Sequence, residues 1–263
     1  MAETSELAKG YTLVNVTQFK AGLYLLQKLA LTNTPNTQIL DIGCGPGNLT
    51  AHISSLLPSA KVIGIDPSSS RIGLALSTYK NHPSLSFYEG IAEDLARFGN
   101  ESFDAVFMNR GAEGMFSGVE ERGEVGGFGG SGDFEAVHER IKREVLGREP
   151  YVKFVGERES APRFVKRMEM EEMLGNAGFE SWDVGVNKIV KEARDGEEML
   201  RWLDASSSGK TYGGIPEEMR ESARREMLKE WERVTGVHGI RMEMELLVTV
   251  AVKGEPREGF VAS

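Results

Sequence analysis

The chain has 263 residues, 40% hydrophobic and 27% charged, which is ordinary for a globular protein large enough to bury a core. Its formal net charge of −9 disfavours binding to nucleic acid or to an anionic membrane, so we expect neither partner. The single cysteine, Cys44, excludes an internal disulfide. The polar N-terminus shows no apolar signal segment, and the apolar run at 246–252 is too short to span a membrane. We therefore predict a cytoplasmic protein.

Strand-like and helix-like segments alternate through the first half of the chain. Helical apolar spacing over 14–31 comes first, a second predicted helix is closed by Pro58, and Ser68 to Ser70 offer N-caps for a third. The predicted strands of this half are 38–43, 61–66, 85–90 and 103–109. This alternation predicts a parallel sheet with helices on both faces, in which ligands bind at the carboxyl ends of the strands.

The second half combines predicted helices with two late strands. Asp133 is predicted to cap a helix that continues to Val145, and a helix around Met170 is ended by Gly178. A strand at 179–190 and a long strand at 241–254 enclose a helical region, 195–236. With a fifth strand at 124–129, we predict an α/β fold with a seven-stranded, mostly parallel sheet. Its last strand is antiparallel, and a helical lid is inserted between the last two strands.

A glycine-rich turn follows the first predicted strand, in the sequence LDIGCGPGN at 40–48. Glycines at such a place let a ligand approach the backbone closely. The dinucleotide fingerprint G-x-G-x-x-G needs a third glycine where this chain has Asn48, and it has no counterpart to Asp41. An NAD(P)-dependent oxidoreductase is therefore the less favoured interpretation.

The turn closely resembles motif I, D-x-G-x-G-x-G, of the class I S-adenosylmethionine-dependent methyltransferases. That resemblance implies a Rossmann-like fold and S-adenosylmethionine as cofactor, with the backbone of the turn around the methionine part. Asp66 ends the second strand, where an acidic residue accepts hydrogen bonds from ribose hydroxyls in both cofactor classes. EGIAEDLA (89–96) resembles the third motif, which implies that Ala92 and Glu93 line the adenine pocket. FDAVFMN (103–109) resembles motif IV, which implies that Asn109 borders the sulfonium and the substrate.

The N-terminal segment LVNVTQFKAGLYLL resembles the helix that covers the cofactor in trans-aconitate and juvenile hormone acid methyltransferases, a small-molecule subgroup. Gln18 matches a glutamine found there, and Cys44 is interpreted as a small residue beside the cofactor rather than a nucleophile. The predicted cofactor-binding residues are Gln18, Asp41, Gly43, Cys44, Gly45, Asn48, Asp66, Pro67, Ala92, Glu93 and Asn109. We predict a single methyltransferase domain, composed of a helical cover (1–37), a cofactor-binding half (38–110), the lid (195–236) and the remaining chain to 254, followed by a tail (255–263).

Methyl transfer from a sulfonium is an in-line displacement, for which the protein mainly positions the nucleophile and excludes water. A carboxylate acceptor is already ionised and needs no general base. A hydroxyl or amine acceptor needs one, unless the hydroxyl is itself acidic. No convincing base stands near the strand ends, so the catalytic residue is left unassigned and an oxygen acceptor, carboxylate or hydroxyl, is favoured. Arg110, Trp202 and Tyr212 are candidate contacts to a small-molecule substrate. The four histidines lack metal-ligand spacing, so no metal is expected, and the protein is predicted to be a monomer or homodimer.

One segment departs from the resemblance. Relatives place a helix and an L-x-P-G-G turn between strands four and five, whereas this chain has eight glycines between 111 and 130 and no such turn. Glycine weakens a strand, so we expect a weakened fifth strand and a distorted wall beside the cofactor. A protein that binds the cofactor but is catalytically impaired is therefore the second interpretation.

Overall fold

The computed structural model describes residues 16–29, 31–92, 94–95, 98, 103–109, 119–154, 164–207 and 211–253. The seven strands are β1 Gln38–Ile42, β2 Lys61–Asp66, β3 Leu85–Glu89, β4 Phe103–Asn109, β5 Val119–Gly130, β6 Ser181–Ala193 and β7 Ile240–Val252. The α-helices are α1 Val16–Lys28, α2 Asn48–Leu56, α3 Ser69–Thr78, α4 Val137–Leu146, α5 Arg167–Asn176, α6 Gly196–Ser206 and α7 Glu217–Val234. A short 3-10 helix, Tyr151–Phe154, follows α4.

The strands form one sheet in the order β3-β2-β1-β4-β5-β7-β6. Strand β7 is antiparallel to both of its neighbours, β5 and β6, and the other ladders are parallel. This confirms the predicted seven-stranded, mostly parallel sheet with a reversed last strand. Helices α6 and α7 lie between β6 and β7 in the chain, as predicted for 195–236.

Alternate residues of the central strands pack against different helices. In β4, Ala105 and Phe107 join a cluster with Leu25 of α1 and Ile53 of α2. Their neighbours Val106 and Met108 join a second cluster, which includes Leu174 of α5. This alternation is the two-residue period of a strand that is covered by helices on both faces.

Strand β5 is longer than predicted, because it begins at Val119 rather than Glu124, and it pairs on both sides, with β4 and β7. Its glycines also have a packing role that composition alone does not indicate. A Cβ atom added at Gly126 would lie 2.7 Å from Cδ1 of Leu29, so glycine lets α1 pack directly on the strand. Within the glycine-rich segment 110–130, for which a distorted wall was predicted, residues 119–130 form this strand, and residues 110–118 lie outside the described residues.

The predicted cap of α4 is wrong. Ala136 is its N-cap and makes no side-chain hydrogen bond, whereas Oδ2 of Asp133 accepts a hydrogen bond of 2.9 Å from the backbone N–H of Arg167, the first residue of α5. A bridge between Ser131 and Val165 brings these two segments together. Asp133 therefore satisfies a helix N-terminus 34 residues away in sequence instead of the adjacent one.

Within the described ranges, no helix is both long enough and apolar enough to cross a membrane.

Candidate cofactor site

The ladder registers bring the predicted site residues to one edge of the sheet. Ile42, the last residue of β1, pairs with Ile65 of β2 and with Met108 of β4. The residues that follow them, Gly43, Asp66 and Asn109, are therefore side by side at the carboxyl ends of three adjacent strands. In parallel α/β sheets, this edge is where ligands bind.

The glycine-rich turn has a conformation that side chains rarely adopt. Gly43, Gly45 and Gly47 have φ angles of 75°, 57° and 84°. The backbone N–H groups of Gly43 and Cys44 both donate to the carbonyl of Ile65, at 2.8 and 3.0 Å, which fixes the turn to β2. Helix α2 begins directly after Gly47, its N-cap, so the turn also presents the N-terminus of a helix at this edge.

Asp66 joins the end of β2 to the turn. Its Oδ2 accepts a hydrogen bond from the backbone N–H of Gly45 at 3.0 Å, and its Oδ1 accepts one from the N–H of Ser68 at 2.8 Å. Only 4% of the residue is exposed. An ionised carboxylate has about four lone-pair positions, and these two bonds tie both of its oxygens to the backbone around the end of β2.

Asp41 is a second buried carboxylate at the same turn. Its Oδ2 accepts a hydrogen bond from the hydroxyl of Thr50 at 2.7 Å, and 1% of the residue is exposed. Burial raises the pKa of the Asp41 carboxyl to about 6; the Thr50 hydroxyl opposes that shift, and the charge of Asp66 adds to it. The charge of Asp66 therefore disfavours ionisation of its neighbour Asp41.

This raised pKa predicts how Asp41 affects the pH dependence of stability. The folded state binds the proton of Asp41 more tightly than the unfolded chain does. The contribution is fully present below about pH 4 and is lost as the pH rises to about 6. A shift from 3.8 to about 6 corresponds to about 3 kcal/mol. Urea unfolding should therefore show that Asp41→Asn gains stability relative to the natural protein between pH 4 and pH 7.5.

Thr50→Val provides a control for that interpretation. It removes the hydrogen bond that lowers the pKa of Asp41, so the loss of stability should extend to higher pH than in the natural protein. If the difference between Asp41→Asn and the natural protein is the same at pH 4 and 7.5, the pKa of Asp41 is not raised.

The ring of Phe87 packs directly against the glycine-rich turn. A Cβ atom added at Gly47 or at Gly64 would lie 2.8 Å from the ring of Phe87, so this ring fills the space beneath both glycines. Cys44 is buried in the same cluster, and burial raises the pKa of its thiol well above the ordinary value, with the charges of Asp41 and Asp66 adding to the shift. A buried thiol that resists ionisation is a poor nucleophile, which favours the space-filling interpretation of Cys44.

The remaining predicted cofactor residues are only partly described. Asn48 is half-buried at the first turn of α2, and Pro67 is exposed directly after Asp66. Ala92 is half-buried and packs against the core cluster that includes Leu174 of α5. Outside the described residues are Glu93, Arg110 and the side chains of Gln18 and Asn109. Among the residues described, no group of three His, Cys, Asp or Glu side chains is arranged to hold a metal ion.

Trp202 and Tyr212 lie in a hydrophobic cluster contributed by α4, α6, α7 and the adjoining ends of β6 and β7. Each is 8% exposed, and the ammonium of Lys191 lies 5.8 Å from the centre of the Trp202 ring. Gly130, the last residue of β5, pairs with Leu246, so β7 from Ile240 to Glu245 extends past the end of β5. The cluster therefore packs on the parts of β6 and β7 that extend beyond the ligand-binding edge of the sheet. A substrate role for Trp202 and Tyr212 stays a prediction.

Three supporting residues were missed by sequence reasoning. Thr50 bonds Asp41, Ser68 donates its N–H to Asp66, and Phe87 lies beneath the turn. Thr50 is the third residue of α2, three residues after Gly47, and this short distance from the turn could have indicated that its hydroxyl reaches Asp41. For Phe87 there was none, because its position depends on how β3 and α3 pack together.

Comparisons with known proteins agree with this geometry. Residues 39–118 match the family described as "Methyltransferase domain". The trans-aconitate 2-methyltransferase of Deinococcus radiodurans is 35% identical over 75 residues, which are 28% of this chain and 27% of that protein. The alignments span between 23% and 39% of the length of the curated relatives that this chain matches.

Solved structures resemble most of the chain. The YcgJ protein of Bacillus subtilis aligns over 90% of this chain and 98% of its own, with a TM-score of 0.60 and 14% identity. Phosphoethanolamine N-methyltransferase 2 of Haemonchus contortus, solved with S-adenosyl-L-methionine, aligns over 96% of this chain and 58% of its own, with a TM-score of 0.56 and 16% identity. The protein therefore has the Rossmann-like fold of these solved structures, and residues 39–118 are similar in sequence to a methyltransferase domain.

Proposed function

We propose that this protein is an S-adenosylmethionine-dependent methyltransferase that acts on a small molecule. The main support for this proposal is that two buried carboxylates, Asp41 and Asp66, lie beside a turn whose glycines have positive φ angles. The methionine part and sulfonium of this cofactor carry positive charge, which two carboxylates attract. Asp41, which has no counterpart in the dinucleotide fingerprint, would add a negative charge that repels the pyrophosphate of a dinucleotide, and this argues against the oxidoreductase alternative.

The residues at the turn fit the parts of the cofactor. The carboxylate of Asp66 would accept hydrogen bonds from the ribose hydroxyls, and the glycine backbone would approach the methionine part without side-chain hindrance. Ala92 and Glu93 would line the adenine. When bound, the cofactor supplies an activated methyl group, so the protein has to position the acceptor and exclude water.

We further propose that the acceptor is an oxygen, carboxylate or hydroxyl. A carboxylate needs no general base, and Arg110, directly after β4, would pair with an acid at the end of the strand. Trp202 lies in α6, and Tyr212 lies in the loop between α6 and α7. The two helices and this loop would act as a lid over the substrate. The malonyl-acyl-carrier-protein O-methyltransferase of Bacillus cereus supports the oxygen acceptor, whereas the phosphoethanolamine N-methyltransferase makes a nitrogen acceptor the second candidate.

An assay with a tritiated methyl donor tests this proposal. The purified chain is offered panels of small carboxylic acids, phenols and amines, and the labelled products are separated and counted. Label transferred to acids or phenols is expected. Transfer to amines alone would contradict the oxygen acceptor, and cofactor binding without any transfer would favour the catalytically impaired interpretation.

A further inference from the structure

Strand β6 is the outermost strand at one end of the sheet. It is 13 residues long, and in the part of the chain that the structure describes it pairs with β7 alone. A long edge strand presents backbone N–H and C=O groups that another strand is able to pair with. The register of such a pairing depends on which residues of β6 direct their N–H and C=O groups away from β7.

The ladder of β7 identifies the outward groups. The N–H of Ser131 donates to the carbonyl of Glu245, and the N–H of Lys253 donates to the carbonyl of Gly123, both at 3.0 Å, so odd-numbered residues of β7 hydrogen-bond to β5. Even-numbered residues of β7 therefore turn towards β6, where the register pairs them with odd-numbered residues. The even-numbered residues of β6, including Val190, direct their N–H and C=O groups to the outer edge.

From Val186 to Glu192, the even-numbered residues also present their side chains on one exposed face. Val186 and Val190 are 45% and 41% exposed, and Lys188 and Glu192 are exposed between and beyond them. Lys188 lies 3.4 Å from Glu245 of β7, but 76% of its side chain is exposed. The edge therefore carries a positive and a negative side chain four residues apart, with a valine midway.

We propose that two copies of this chain pair antiparallel through β6, about a twofold axis at Val190. In this register, Lys188 of each copy lies opposite Glu192 of the partner subunit, so the pairing forms two opposite-charge pairs. Val190 would exchange both backbone hydrogen bonds with Val190 of the partner subunit, because its N–H and C=O already point outward. The two sheets would join into one continuous sheet, and each copy would use the same surface.

Charge selects this register over its neighbours. An axis at Lys188 would place two lysines opposite each other, and an axis at Glu192 would place two glutamates opposite each other. Like charges directly opposite in an antiparallel pair are destabilising. Among axes at the four exposed even-numbered residues of β6, only the axis at Val190 therefore places opposite charges opposite each other, whereas lysines alone would merely discourage edge pairing.

Charge reversal tests the proposal by sedimentation velocity over a range of protein concentrations. We expect the natural chain to dimerise, and Lys188→Glu or Glu192→Lys alone to raise the dissociation constant of the dimer about tenfold or more. An equal mixture of these two variants should regain the dimer, because each would then face the opposite charge. Lys61→Glu, at the exposed start of β2, makes the same charge change elsewhere and should leave the dimer intact.

A pair of proline variants tests the backbone. Val190→Pro removes an outward N–H and spares the β6–β7 ladder, so it should abolish the dimer while the melting temperature changes little. Ile189→Pro removes a ladder N–H and should lower the melting temperature instead. A natural chain that stays monomeric at high concentration would overturn the proposal. So would a dimer that persists in Val190→Pro, or a mixture of the charge variants that fails to regain the dimer.

Discussion

Asp66→Ala is expected to weaken the binding of S-adenosylmethionine and S-adenosylhomocysteine by about 1.5–3 kcal/mol, roughly 10- to 150-fold. The carboxylate would lose its bonds to the ribose hydroxyls. It would also release the N–H groups of Gly45 and Ser68, which it now holds at 3.0 and 2.8 Å. The first effect removes ligand contacts, and the second loosens the turn that surrounds the ligand. Titration calorimetry of the variant and the natural chain measures the difference.

Asp104→Ala is the matched control. Oδ2 of Asp104 accepts a hydrogen bond of 2.9 Å from the backbone N–H of Gln38, which is the same kind of contact at the opposite edge of the sheet. We expect this variant to lose stability while keeping its affinity for the cofactor. Unchanged affinity in Asp66→Ala, or an equal loss of affinity in both variants, would remove Asp66 from the binding site.

Gly47→Ala is expected to destabilise the fold by about 2–5 kcal/mol and to abolish detectable cofactor binding. The φ angle of 84° costs an alanine about 1–2 kcal/mol. The added methyl would lie 2.8 Å from the Phe87 ring and 3.2 Å from that of Tyr79, and such overpacking costs a further ~1–3 kcal/mol. Because the turn and the start of α2 would have to shift, the ligand surface would shift with them. Urea unfolding and calorimetry measure the two effects.

Gly178→Ala separates backbone strain from crowding. Gly178 has a φ angle of 80°, and an added Cβ would meet no atom within 4 Å. The variant should therefore lose only about 1–2 kcal/mol and bind the cofactor normally. If Gly47→Ala were as mild as Gly178→Ala, the tight packing of the turn on Phe87 would be contradicted.

The fold and the position of the site were predictable because local patterns determine both. The strand and helix alternation gave the parallel sheet, and a parallel sheet brings the ends of its strands to one edge. Gly43 directly follows β1 and Asp66 is the last residue of the adjacent β2, so their proximity needed no tertiary information beyond the register. The positive φ angles at Gly43, Gly45 and Gly47 are the conformation that glycine is used for.

Contacts between distant segments were not predictable in the same way. Asp133 precedes one helix but bonds the N-terminus of another, because the Ser131–Val165 bridge brings α5 beside it. The glycines of β5 were interpreted as weakening the strand, yet Gly126 gives Leu29, directly after α1, the space to pack against it. In both cases the sequence shows a residue that is able to cap a helix or to allow close packing. Only the tertiary structure shows which segment is its partner.

We propose that the glycine turn, with Asp41 and Asp66, binds a nucleoside that carries a sulfonium. Titration calorimetry with S-adenosylmethionine, S-adenosylhomocysteine and NADH tests it most directly. We predict that the two adenosyl compounds bind at one site per chain and compete with each other, and that NADH produces no heat of binding. Binding of NADH together with silence towards both adenosyl compounds would contradict the claim, as would the absence of binding by all three.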